Sequence, residues 1–126
     1  MLVAVCVGTN DLLTAGVFYD QVLETLNMSR VMQNAQEIGY GLNGKDSDFY
    51  VLTPFNGASA TSGNGSQVMF LAGSQQAVRD FYRAAMQSGG SDEGEPGPRD
   101  YAEGYYGAYV RDIDGNKLHV FHLPEK

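Results

Sequence analysis

The apolar residues of this chain fall into short runs with two different periods, separated by breaks rich in Gly, Ser and Asn. Residues 2–8 (LVAVCVG) form a valine-rich run closed by Thr9, Asn10 and Asp11, residue types that cap helices well. This predicts a buried strand entering a helix. Val17, Phe18, Val22, Leu23 and Leu26 then recur at mostly helical intervals, with Asp20, Gln21 and Glu24 on the other side, predicting a helix over 12–26. Three strand-like segments follow at 28–34, 37–42 and 48–54, separated by polar or Gly-containing turns. Residues 55–66 show no periodicity and read as a connector. The strand pattern returns at 66–73, after which Ser74 is placed to cap a helix carrying Val78, Phe81, Tyr82 and Ala85 on one face, stopped by Gly89 and Gly90. Residues 89–104 read as a loop with room for one short strand, and 105–111 with 117–123 flank the turn 112–116 as a hairpin.

The order of elements therefore occurs twice, and the repeat has a numerical signature. Phe18-Tyr19 recurs as Phe81-Tyr82, an offset of 63 residues that also lays Val5 on Val68 and Ala4 on Gln67. Because Phe-Tyr also occurs at 49–50, the repeat rests on element order more than on the dipeptide. The expected organisation is one domain over 1–126: a first module over about 1–54, a connector at 55–65 and a second module over about 66–124.

Composition narrows the partners. The 126 residues, 43% of them hydrophobic, suffice for one self-supporting core. Eight basic against fifteen acidic residues give a net charge of −7, which repels a phosphate backbone, so nucleic acid is not an expected partner. No apolar run approaches the roughly 18 residues needed to span a bilayer. Cys6 is the sole cysteine, and the opening MLVAVCVGTN lacks the basic segment of a signal peptide, so a cytoplasmic location without membrane attachment is expected.

The stretch Tyr105-Tyr106-Gly107-Ala108-Tyr109-Val110-Arg111-Asp112-Ile113-Asp114-Gly115-Asn116-Lys117-Leu118 is similar to an aromatic-x-x-DPDGN hairpin. With the opening strand, Asn10-Asp11-Leu12 and Phe18-Tyr19, it resembles the glyoxalase / bleomycin-resistance / extradiol-dioxygenase (vicinal oxygen chelate) superfamily over nearly the whole chain. The resemblance implies an α+β fold of two βαβββ modules forming a cupped mixed sheet, with helices on the outer face. It also implies a small organic ligand in the cup and a homodimer. Two activities follow: a glyoxalase-like lyase or dioxygenase-like enzyme, or a metal-free protein that sequesters a drug as bleomycin-resistance proteins do.

Metal-dependent members hold a divalent ion with side chains from the first and last strands of each module. Alternation puts Val3, Val5 and Val7 on the helix side of the first strand and Val68 and Phe70 on that of its repeat, leaving Gln67, Met69 and Leu71 toward the cup. Matching 49–52 to 118–121 makes Tyr50, or with a one-residue slip Phe49, the counterpart of His119. The positions that match the ligand motif thus read Ala4, Tyr50, Gln67 and His119. Alanine has no donor atom and tyrosine is an uncommon ligand, so the set argues against a tightly held divalent metal; were one bound, Gln67 and His119 would be its ligands.

His119 is the candidate catalytic residue, as a general acid or base near neutral pH, with a hydrogen-bonded structural histidine as the alternative. Gln67, Tyr50, Met69, Phe121, Tyr109 and Arg111 are the candidate pocket residues, and Tyr105 and Tyr106 belong to the same aromatic group bordering the cup. A scaffold with a vestigial cup would instead fill it with Tyr50, Met69 and Phe121. His122 falls on the other row near a strand end and reads as a surface residue. Residues 112–116 lack the acidic spacing and flanking helices of a calcium loop and read as a turn. Cys6 has no neighbouring base or cation and reads as a small packed hydrophobe. The 89–104 segment is either a lid on the cup or a solvated loop.

Overall fold

The computed structural model describes residues 1–125. Its elements run β1 (Val5–Gly8), α1 (Leu12–Glu24), β2 (Met28–Gln33), β3 (Glu37–Leu42), β4 (Phe49–Leu52), β5 (Val68–Leu71), α2 (Gln75–Gln87), β6 (Ser91–Pro98), β7 (Tyr106–Arg111) and β8 (Lys117–His122). This is the α+β arrangement of two βαβββ modules. Each module forms a four-stranded mixed sheet, ordered β1-β4-β3-β2 in the first and β5-β8-β7-β6 in the second. Among the described residues β1 and β5 are edge strands, each paired only with the last strand of its own module, in parallel.

Local chemistry sets the helices where the sequence pattern placed them. The Asp11 carboxylate accepts from the Thr14 amide at 3.0 Å and the Ser74 hydroxyl from the Ala77 amide at 3.0 Å, each satisfying one of the unpaired first-turn donors. Both helices pack their apolar faces into a single core. Phe18, Tyr19, Val22 and Leu23 of α1 meet Phe49 and Val51 of β4, while Val78, Phe81 and Ala85 of α2 meet Val110, Leu118 and Val120 of the second sheet. Phe49 and Phe70, 5.4 Å apart, carry the aromatic contact across the modules.

The internal repeat is carried in the geometry. α1 and α2 have the same length at an offset of 63 residues, as do β1 and β5, and their caps Asp11 and Ser74 obey it too. The registers Cys6↔Tyr50 and Met69↔His119 make Tyr50 the counterpart of His119 without a slip to Phe49. Between β4 and β8 the offset has grown to 69. The extra residues lie in β6, eight residues long against six in β2, and in the segment 99–105 that follows it.

Several expectations need correction. Half of the segment 89–104, expected as a loop with room for one short strand, is the eight-residue edge strand β6, whose sequence SDEGEPGP has no apolar alternation because the strand is largely exposed and, among the described residues, pairs only with β7, through register shifts at Gly94. The first strand begins at Val5, so Val3 is exposed rather than packed under α1 with Val5 and Val7. α1 ends at Glu24, and Asn27 takes a left-handed φ of 62° to turn the chain into β2. Cys6 is exposed on the face away from the helix, not packed. Its thiol is pushed above the ordinary range by partial desolvation and then by Glu37, so it is not an activated nucleophile.

The turn 112–116 does more than join β7 to β8. Asp112 Oδ1 accepts from the amides of Asp114 and Asn116, and its Oδ2 accepts from Asn116 Nδ2 and from the Tyr19 hydroxyl of α1. Asn116 Nδ2 also donates to the Gly8 carbonyl at 2.9 Å, and the Asn10 amide donates to Asp114 Oδ1 at 2.9 Å. Gly115 supplies the left-handed φ of 89° that the turn requires. The hairpin tip is thereby clasped to the β1–α1 junction of the other module.

Candidate functional site

The face of the second sheet opposite its helix carries His119, Tyr109 and Phe121 of the predicted site residues. Along β8, Leu118 and Val120 enter the core, so Lys117, His119 and Phe121 face the other way, as alternation requires. On β7, Tyr109 is the direct cross-strand partner of His119, and the two rings stack at 4.0 Å between centroids. Tyr105 stacks on Phe121 at 5.0 Å, and Tyr101 meets Tyr105 edge-on at 5.0 Å. Tyr101 also joins its hydroxyl to that of Tyr109 at 2.7 Å. The added 99–105 segment thus folds its tyrosines onto His119.

His119 is 1% exposed and both its nitrogens are occupied. Nδ1 lies 2.9 Å from the Ala108 carbonyl and Nε2 lies 2.6 Å from the Tyr105 hydroxyl. A carbonyl only accepts, so Nδ1 carries the hydrogen of the neutral ring, and Nε2 receives the Tyr105 O–H. Burial lowers the His119 pKa, and the charges of Arg99 and Lys117 act in the same direction against the Ala108 hydrogen bond. Burial raises the Tyr105 phenol, and burial together with the Tyr101 hydrogen bond pushes Tyr109 up to about 12. The cluster is neutral and internally satisfied.

Gly107 makes room for this packing. A Cβ there would lie 2.9 Å from His119 Cε1 and 3.0 Å from the Val120 carbonyl oxygen. Gly107→Ala is therefore expected to cost about 1–3 kcal/mol, from overpacking against a backbone that cannot yield. Thermal unfolding read alongside the His119 ring proton shifts would check it, since the ring must move if the methyl is accommodated.

The predicted pocket residues do not converge on one cavity. Gln67 and Arg111 line a polar hollow of about 500 Å³ with Lys117 and residues 62–66. Met69 lines a separate apolar hollow of about 680 Å³ between the β1 and β5 edges, with Val5, Phe49, Val68, Phe70 and Leu71, which Gln67 also touches. Tyr109 and Phe121 belong to the aromatic layer over His119, and Tyr50 is half-buried on β4. Tyr106 lies on the helix side of its sheet rather than at the cup, because Arg79 of α2 donates to its hydroxyl at 3.2 Å. Arg111 is held by Glu93 at 2.6 Å and by the Gly115 carbonyl at 3.0 Å. His122 is half-buried and tied to the Ala72 carbonyl.

A divalent metal does not fit the residues at the family's ligand positions. The Nε2 lone pair of His119 is taken by Tyr105, Gln67 is exposed ahead of β5 and opens onto the two hollows, and Ala4 offers no donor. Among the described residues, no group of three or more His, Cys, Asp or Glu side chains converges as a metal site.

Two contributors escaped the sequence reading. Lys117 shares the His119 row and could have been found by the same alternation. Tyr101 follows an edge strand without periodicity, and nothing in the sequence signals that it folds back over His119.

Paired βαβββ modules with an inward-facing row on each closing strand define the class of fold. A glyoxalase/bleomycin resistance protein from Albidiferax ferrireducens T118 matches with a TM-score of 0.86 at 38% identity, covering 97% of this chain and 98% of that one. A glyoxalase-related enzyme from Fulvimarina pelagi (TM-score 0.78, 18% identity, 98% of this chain and 88% of that one) shares the fold. So does a lactoylglutathione lyase from Agrobacterium tumefaciens (TM-score 0.68, 17% identity, 97% and 92%). No family model and no curated protein matches the sequence. The chain belongs to the glyoxalase / bleomycin-resistance / dioxygenase superfamily.

Proposed function

We propose that this protein binds a small, partly apolar organic molecule without converting it, as a homodimeric sequestering protein of the bleomycin-resistance type. The observation that carries this reading is the state of His119: buried, with Nδ1 and Nε2 both engaged, at the position where an enzyme of this superfamily would place a metal ligand. A histidine so engaged neither ligates an ion nor reaches a substrate proton without first dismantling the tyrosine layer. The apolar hollow between the β1 and β5 edges supplies the binding volume, of a size suited to a drug-like ligand. Leu2, Val3, Met69 and Leu71, exposed beside two strand edges unpaired among the described residues, line the same hollow, so a second chain seated there would complete its walls. The net charge of −7 favours encounter with cationic compounds.

The experiment is isothermal titration of bleomycin and a panel of aromatic amines into the wild type, with mass from light scattering. A dimer of twice 13.6 kDa and saturable binding by at least one probe are expected. No lactoylglutathione lyase turnover is expected, with Zn²⁺ or Ni²⁺ supplied. Turnover dependent on added metal would overturn the reading, as would a monomer that binds none of the panel.

A further inference from the structure

The polar hollow is a different kind of place from the apolar one. It holds about 500 Å³ between residues 62–66 of the connector and the facing ends of β7 and β8. In a chain of net charge −7 its walls carry two cations, Arg111 and Lys117, and no carboxylate. Glu93 and the Gly115 carbonyl fix the Arg111 guanidinium, and its Nη2 meets no acceptor among the described residues. The Lys117 ammonium sits 5.0 Å from the centre of the Tyr109 ring and enters no ion pair among the described residues. On the other side, the connector contributes Ser62, Gly63, Asn64, Gly65 and Ser66 to the lining. The backbone amides of Gly63, Asn64 and Gly65 donate to no other atom among the described residues. Gly65, at φ 93°, turns the chain here, and nothing fills the space a Cβ would occupy.

Neighbouring unpaired amides and hydroxyls opposite an unpaired ammonium are complementary to an oxyanion. We propose that this hollow binds the phosphate or carboxylate group of a small organic anion, with Lys117 as the principal charge and the amides of residues 63–65 as neutral donors. The site shares only Gln67 with the apolar hollow and stands whether or not that hollow binds a drug. A carboxylate and a phosphate present the same acceptor chemistry, so probes decide between them.

The test is a ¹H–¹⁵N titration of the wild type with inorganic phosphate and, separately, with acetate. Ionic strength is held constant with chloride, because exposed charge attraction is screened by salt. Saturable shifts of the amides of residues 62–66 are expected with at least one probe, and the probe that saturates names the oxyanion. Lys117→Gln is expected to weaken that binding about tenfold, the value of one hydrogen bond to a charged group. Lys117→Arg is expected to stay within about threefold of the wild type. Lack of saturation with both probes overturns the proposal, and so does a Lys117→Gln variant that binds as the wild type does.

Discussion

Asp112→Ala is expected to lower the free energy of unfolding by roughly 3–5 kcal/mol, seen as a fall in melting midpoint on the order of 10–20 °C. The carboxylate is 4% exposed and serves four donors at once: two amides of its own turn, the Asn116 side chain and the Tyr19 hydroxyl. Alanine takes an acceptor from all four donors, of which the Tyr19 hydroxyl and the Asn116 amide are buried, and the cost of an unmet buried donor exceeds the net worth of the bond itself. Tyr19→Phe removes one donor and is expected to cost only about 1–2 kcal/mol. In the double variant the two losses should fall short of their sum, since the phenol no longer needs the carboxylate. Equal losses for Asp112→Ala and an exposed control such as Asp46→Ala, read by thermal and urea unfolding, would show that the clasp between modules contributes nothing.

His119→Phe keeps a flat ring in the aromatic stack but cannot bond to Tyr105 or Ala108. A loss of about 2–3 kcal/mol near pH 7.5 is expected. The pH dependence has a definite sign. Burial sets the folded pKa of His119 below its ordinary value near 6.5, so below that pH the unfolded chain binds more protons than the folded one. The contribution of neutral His119 is full above pH 6.5 and is lost progressively as pH falls through the folded pKa. Wild-type stability should therefore fall toward acid more steeply than that of His119→Phe, narrowing the gap between them. Parallel curves in urea unfolding from pH 8 to 5 would contradict this. The charges that face the ring are those of Arg99 and Lys117, which oppose its protonation in the folded state.

Much of the fold was legible because the helices and inner strands bury one face. Asp11 and Ser74 cap where a helical pattern begins, and Phe18-Tyr19 and Phe81-Tyr82 lie at equivalent helix positions. Alternation assigned the rows of β5 and β8 correctly, because Phe70, Leu118 and Val120 must enter the core. β6 was not legible: as an exposed edge it needs no apolar side chains, and backbone bonds to β7 alone define it. The site was half legible. Sequence placed His119 facing inward opposite the position of Tyr50, yet could not tell whether its nitrogens are free. That depended on Tyr105 and on the longer second module, whose added residues bring Tyr101 over the ring. The tertiary role of Asp112 was equally hidden, since a hairpin needs an Asp at that point with or without Tyr19 beneath it.

On the reading proposed above, His119 is a locked structural residue and neither ligates a metal nor acts as a catalytic base. Long-range ¹H–¹⁵N correlation of its imidazole, recorded before and after adding stoichiometric Zn²⁺, probes both nitrogens at once. We expect the neutral ring with hydrogen on Nδ1 and an accepting Nε2, unchanged by zinc. A zinc-induced shift of Nε2 at one ion per site would contradict the account and return this protein to the metal-dependent branch of its superfamily.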